Sequence, residues 1–224
     1  MSDVAVVTGA SRGIGLACAS ALAGRGLRVA LLAPESERLR RAARELGGSL
    51  AVPCDVAVEE DVERAAQLVV AQLGAPRVVV SNAGIVRRGR VEALSVDDFD
   101  RTLAVNLRGA FLVARAFLPA MRRLGRGRFV AIASISATLG TDGAAAYNAS
   151  KWGVVGLVKC LAEELRGSGL QAMAINPGSV DTDMLRGSPF APEMRPEDVA
   201  GVVAYAALDA PDAMNGASID VFGP

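Results

Sequence analysis

Val4-Ala5-Val6-Val7-Thr8-Gly9-Ala10-Ser11-Arg12-Gly13-Ile14-Gly15 is the stretch on which the fold turns. Its first four residues are apolar and mostly β-branched, the mark of a short buried strand. A glycine-rich turn follows, and a helical pattern runs on over 13–25. Glycines at such a turn let the backbone approach a pyrophosphate. The helix behind them offers free N–H groups and the positive end of its dipole. The spacing is not the commonest G-x-G-x-x-G, and a glycine-rich turn alone could be a tight βα loop. The strand before it and the helix after it favour dinucleotide binding.

Outward from this turn the same unit repeats. Strand-length apolar runs lie at 4–7, 29–32, 50–53, 78–80, 129–133, 172–175 and 217–221. Helix candidates lie between them at 13–25, 35–46, 58–73, 97–124, 147–166 and 196–208. Strands that alternate with helices form βαβ units. The expected fold is therefore α/β: a Rossmann-type, doubly wound, mostly parallel seven-stranded sheet with helices on both faces, in a single domain over 1–224. Small or polar residues gather after the strands: Gly9, Asp55, Asn82-Ala83-Gly84, Ser134 and Asn176-Pro177-Gly178. Each could be an ordinary turn residue. Together they mark the carboxyl edge, where open α/β sheets bind ligands.

Composition narrows the chemistry. The 24 Lys plus Arg balance 24 Asp plus Glu, and there is no basic run, so no nucleic-acid partner is expected. No apolar stretch approaches the ~18–20 residues of a membrane span, and no charged-then-apolar leader precedes Val4. A cytoplasmic protein is expected, with Cys18, Cys54 and Cys160 as small buried residues and no metal site. There is no histidine. That excludes Ser-His-Asp and Cys-His catalysis and every His-ligated metal. Acid/base chemistry near neutral pH must come from shifted Tyr, Lys, Cys or carboxylate groups.

Tyr147 and Lys151 are the candidates. Four residues apart on the 147–166 helix, they share one face. A phenol with its ordinary pKa of about 10 is a poor acid or base at neutral pH. A fixed cation beside it should lower that value by roughly one to three units. Of the 24 cationic residues only Lys151 and Lys159 are Lys. A chain that otherwise uses Arg has kept a compact ammonium here.

Read together, Thr8-Gly9-x-x-x-Gly13-Ile14-Gly15, Asp55, Asn82-Ala83-Gly84, Asn106, Ser134, Tyr147-x-x-x-Lys151 and Asn176-Pro177-Gly178 resemble the classical short-chain dehydrogenases/reductases along essentially the whole chain. The overall likeness is greatest to bacterial 3-oxoacyl-[acyl-carrier-protein] reductases. The resemblance implies four catalytic residues. Tyr147 gives a proton to a carbonyl oxygen as hydride arrives. Ser134 polarises that carbonyl. Lys151 binds the nicotinamide ribose and lowers the Tyr147 pKa, and Asn106 holds a relay water. It also implies a coenzyme site of Gly9, Ser11, Arg12, Gly13, Ile14, Gly15, Asp55, Val56, Asn82, Ala83, Gly84, Tyr147, Lys151, Pro177, Gly178, Val180 and Thr182. Ser81 departs from the family's frequent Asn.

The end of the second strand reads Leu31-Leu32-Ala33-Pro34-Glu35. Ala33 stands where NAD-preferring relatives carry Asp, and Arg12 could pair with a 2′-phosphate. NADPH is therefore expected over NADH, although Pro34 stands where a second Arg is frequent. The 97–124 helix is apolar on more than one face and the 147–166 helix carries Trp152, so a homo-oligomer, tetramer or dimer, is expected through these two helices. The segment 183–195, with Met184, Leu185, Phe190 and Met194 among Gly187, Pro189 and Pro192, reads as a substrate flap. The expected function is NADPH-dependent reduction of a carbonyl, a 3-oxoacyl thioester first, to a secondary alcohol. The alternatives are an NAD(P)-dependent alcohol or polyol dehydrogenase working oxidatively, and a non-catalytic dinucleotide sensor.

Overall fold

The computed structural model describes residues 2–47, 49–186, 188 and 190–223. Its elements in chain order are β1 (Val4–Thr8), α1 (Gly13–Gly24), β2 (Arg28–Ala33), α2 (Glu37–Glu45), β3 (Leu50–Pro53), α3 (Glu59–Leu73) and β4 (Val78–Ser81). Then come α4 (Val96–Leu103), a π-helical turn (Ala104–Arg108), α5 (Gly109–Leu124), β5 (Gly127–Ile132), α6 (Ala145–Glu164), β6 (Leu170–Pro177), α7 (Pro196–Leu208) and β7 (Ser218–Val221).

The strands form one seven-stranded sheet in the order β3-β2-β1-β4-β5-β6-β7, every pairing parallel. Parallel strands covered on both faces bury every side chain, so they read as unbroken apolar runs. Successive residues serve opposite layers. Val4 and Val6 join the core under α3, α5 and α6. Ala5 and Val7 join the core under α1, α2 and α7. Between β1 and β4 the winding reverses, and a crevice opens at the carboxyl ends of those two strands.

The long 97–124 helix of the sequence reading is three segments. Asn106 lies in the π-helical turn between α4 and α5. An extra residue in one turn shifts the helical register there, and such bulges are frequent at functional sites. The run Val96–Leu124 is also, at 29 residues, long and apolar enough to cross a membrane, against the sequence expectation. Its apolarity has another cause: 56% of its most apolar window is buried inside the protein. A second correction concerns Cys160, which is exposed on α6, whereas Cys18 and Cys54 are buried as expected.

Candidate active site

The crevice is built on a polar hub. Thr8, fully buried at the end of β1, accepts through Oγ1 the N–H groups of Asn82 and Ala83, both at 3.0 Å. Asn82 Nδ2 donates back to the Thr8 carbonyl at 2.9 Å. These bonds lock the end of β4 beside the glycine turn. Gly9 has φ +64°, and a Cβ there would lie 2.8 Å from Asn82 Nδ2. A Cβ on Gly15 would collide with the Gly9 carbonyl and the same amide. Both glycines are needed so that α1 can start this close to β4.

This cradle fits a phosphate. Arg12, the N-cap of α1, makes no side-chain cap, and the first turn holds no acidic residue. Free N–H groups and an uncompensated positive dipole end are what an anion needs. The turn, Gly84 near Lys151 and the Pro177–Thr182 loop can together hold a nicotinamide dinucleotide. Gly84 leaves room beside Lys151: a Cβ on it would lie 3.6 Å from Nζ.

A cavity of about 330 Å³ adjoins the cradle. The structure brings Ile14, Asn82, Gly84, Ser134, Tyr147, Lys151, Pro177, Gly178, Val180 and Thr182 onto its walls. The other coenzyme candidates are not on those walls. Gly9 and Gly15 form the hub, Ser11 and Arg12 follow on the turn, Gly13 faces Thr182, and Ala83 is held by Thr8. Asp55 pairs with Arg101 at 2.8 Å and caps the Ala57 N–H at 3.0 Å. Desolvation opposes its ionisation, but Arg101 and that N–H hold its carboxyl below the usual range. Val56 is buried against Gly109.

Ser134 leaves β5 and accepts the Ser136 N–H at 3.1 Å, which leaves its hydroxyl proton to be directed toward the Tyr147 phenol or a substrate carbonyl. Helix α6 presents Tyr147 and Lys151 on one face, with Nζ 5.6 Å from the phenol ring centre. Lys151 Nζ donates to the Ile132 carbonyl at 2.8 Å, its one partner among the described residues. Two donors remain for ribose hydroxyls.

The electrostatics correct the sequence reading. Burial pushes the phenol up, against the pull of the Ser134 hydroxyl and the Arg88 guanidinium. Burial also brings Lys151 itself down to about 8. The spacing placed a cation beside a phenol, but the face they share turns into the protein, where desolvation penalises both charged forms.

Asn106 is held through its side chain. Its Oδ1 accepts the Ile85 N–H at 2.8 Å; its Nδ2 donates to the Ile85 carbonyl at 2.9 Å and to Ser150 Oγ at 3.0 Å. With both amide protons committed, the side chain positions the loop after β4 against α6, and a relay water would have to be held by a carbonyl oxygen. Ser150 in turn donates to the Tyr147 carbonyl at 2.7 Å.

The flap divides. Met184, Leu185 and Phe190 line the cavity. Met194 is buried in the core and its carbonyl accepts the Asp181 N–H at 2.9 Å, so it anchors the segment. Gly187 and Pro189 lie outside the described residues. Asp183 is gripped by Arg12 at 2.6 Å, Arg38 at 3.3 Å and Arg186 at 3.3 Å. The Arg12 hydrogen bond first, then the Arg186 charge, hold its carboxyl below the usual range. The sequence reading looked for a second cation directly after β2 and missed Arg38, which reaches the same place from the first turn of α2. It also missed Thr8 as the hub, and Arg88 on the cavity wall.

Comparison with known proteins agrees with this architecture. The family model described as short chain dehydrogenase matches residues 3–190. A D-threitol dehydrogenase of Mycolicibacterium smegmatis is 38% identical, covering 98% of this chain and 91% of that protein. A 3-oxoacyl-[acyl-carrier-protein] reductase of Synechocystis is 34% identical, covering 93% and 90%. Among solved structures, a 3-ketoacyl-(acyl-carrier-protein) reductase from Brucella melitensis complexed with NADH superposes with a TM-score of 0.94, at 30% identity over 99% of this chain and 97% of that one.

Proposed function

The chain belongs to the short-chain dehydrogenase family of oxidoreductases, and on that premise we propose that it reduces the carbonyl of a 3-oxoacyl thioester or related ketone to a secondary alcohol with NADPH. A bound reduced nicotinamide supplies the hydride. Tyr147 delivers the proton to the carbonyl oxygen, and the hydroxyl of Ser134 stabilises the charge that builds there. Lys151 orients the ribose with its two unused donors. The observation that carries the reading is geometric: the half-buried Tyr147 shares the cavity wall with Ser134 and Lys151. A phenol, protonated at neutral pH, is ready to donate to a carbonyl oxygen. The apolar wall of Leu139, Met184, Leu185 and Phe190 suits an acyl chain.

The test mixes protein and NADPH with acetoacetyl thioesters and small ketones and follows loss of the reduced nicotinamide. Turnover on thioesters supports the reading. Oxidation of threitol-like polyols without carbonyl reduction would favour the polyol dehydrogenase that one relative's name describes. Coenzyme binding with no turnover would favour a sensor.

The preference for NADPH rests on Arg12 and Arg38 converging on one carboxylate. A 2′-phosphate would replace Asp183 between them. Arg12→Ala/Arg38→Ala should weaken NADPH binding by roughly tenfold or more and leave NADH within about threefold, each charged hydrogen bond contributing about 1.5–3 kcal/mol. Equal losses for both coenzymes, measured by fluorescence titration, would reverse the assignment. The Brucella neighbour was solved with NADH, which keeps that comparison necessary.

We also propose a cytoplasmic homo-oligomer, dimer or tetramer. Trp152 on α6 is 55% exposed, Phe111 on α5 48% and Phe99 on α4 37%. Such large apolar groups on three helices, α4, α5 and α6, suit a partner copy. Light scattering at micromolar concentration should give a multiple of the 23.0 kDa chain, and a monomer there would refute this.

A further inference from the structure

Arg88 stands on the cavity wall with Tyr147, Ser134 and Lys151. It follows β4 on the loop whose Gly89 N–H donates to the Gly143 carbonyl at 2.9 Å, immediately before α6. That places it on the substrate side, away from the glycine turn. The chain is rich in arginine, and nearly all its arginines are spoken for. Arg87 meets Asp98, Arg90 meets Asp142 and Arg101 meets Asp55. Among the described residues only Arg88 and Arg123 have neither an ion pair nor a hydrogen bond, and Arg123 lies at the far end of α5. No carboxylate lines the cavity among those residues. Its two charged groups, Arg88 and Lys151, are both cationic. Lys151 is turned to Ile132, so Arg88 is the one with its whole fork available.

We infer that Arg88 forms an anion subsite, and that the physiological substrate is an oxo compound bearing a carboxylate, sulfonate or phosphate that this guanidinium clamps while the carbonyl lies at Tyr147 and Ser134. The inference rests on the carbonyl-reductase reading and narrows its substrate. Arg88 is exposed to solvent at the cavity's edge, and its unpaired guanidinium there offers five donors to a planar anion, a bidentate pair fixing orientation as well as affinity. The same charge faces the phenol, where it opposes the effect of burial. The anion could belong to a small oxo acid or to the phosphate of a carrier arm, and the two sources are separable.

The experiment compares kcat/KM for matched pairs with wild type, Arg88→Met and Arg88→Lys. Acetoacetate and levulinate are each set against their methyl esters. Acetoacetyl-CoA is set against acetoacetyl-N-acetylcysteamine, which lacks the phosphates. In wild type the anionic member of at least one pair should be favoured. Arg88→Met should cut the anionic-to-neutral ratio by about ten- to a hundredfold, the worth of a charged hydrogen-bonded pair, and Arg88→Lys should restore part of it. A fall confined to the acid–ester pairs identifies a small oxo acid; a fall confined to the CoA pair identifies the carrier phosphate. A ratio unchanged by Arg88→Met in every pair overturns the subsite, even if all the compounds are reduced. If wild type reduces none of them, the reductase reading fails separately. Calorimetric titration of levulinate into the protein with NADPH then decides the subsite: loss of binding in Arg88→Met supports it, and equal or absent binding in both proteins overturns it.

Discussion

Tyr147→Phe is expected to lower kcat for carbonyl reduction by about a thousandfold while leaving NADPH affinity within about twofold. General acid catalysis contributes roughly 10²–10⁴ in rate, so a thousandfold loss corresponds to about 4 kcal/mol of barrier. Phe keeps the ring in its cavity and deletes only the proton donor. Ser134 still accepts the Ser136 N–H. Lys151 still holds Ile132, so the ribose end of the site is undisturbed. Thermal stability should therefore barely move. A fall in KM-limited turnover alone, with kcat preserved, would mean that the phenol binds substrate without protonating it.

Lys151→Met should separate activity from stability. Turnover should fall by at least about a hundredfold, because the ribose loses the two donors that Lys151 has to spare. Stability of the coenzyme-free protein should rise at pH 7. The reason is the sign of the shift: burial lowers the folded pKa to about 8 from an ordinary 10.5. A depressed Lys penalises folding fully below the folded value. Between pH 8 and 10.5 the unfolded chain binds more protons than the folded one, so stability grows as pH rises through that window. The whole difference is on the order of 3 kcal/mol. Wild type should accordingly gain stability relative to Lys151→Met on going from pH 7 to pH 9.5, in denaturant titrations run without coenzyme. A gap that stays constant across that range would mean that Lys151 is not desolvated. Met removes the charge and keeps most of the stem, but it forfeits the bond to the Ile132 carbonyl, which limits the gain.

How much of this was legible in the sequence depends on what each feature leaves behind as a residue pattern. The glycine turn, the alternation of strand and helix and the carboxyl-edge polar residues were readable because each demands particular residue types at fixed places. Gly9 and Gly15 have no alternative beside Asn82, and the double burial of the inner strands shows as apolar runs rich in Val, Ala and Leu. The π-helical turn was not readable. One added residue in a turn leaves no residue type behind, so 97–124 read as a single helix and Asn106 as an awkward guest in it. The Tyr147 environment was read with the wrong sign, because spacing tells which groups are neighbours and not how much water they keep. Arg38 and Arg88 were invisible for a related reason: in a chain this rich in arginine only the partners, known from the fold, tell a surface charge from a site. Cys160 is the converse case, a residue type usually buried that this helix leaves outside.

The central claim is that a protonated phenol and a dinucleotide held over the glycine turn act together on one carbonyl. Its most direct measurement is a single turnover with NADPH deuterated at the transferring carbon, followed by mass spectrometry of the alcohol. Wild type should place the deuterium on the carbinol carbon, and Tyr147→Phe should bind the same coenzyme and form almost none of that product. Labelled alcohol formed by Tyr147→Phe at the wild-type rate would contradict the account.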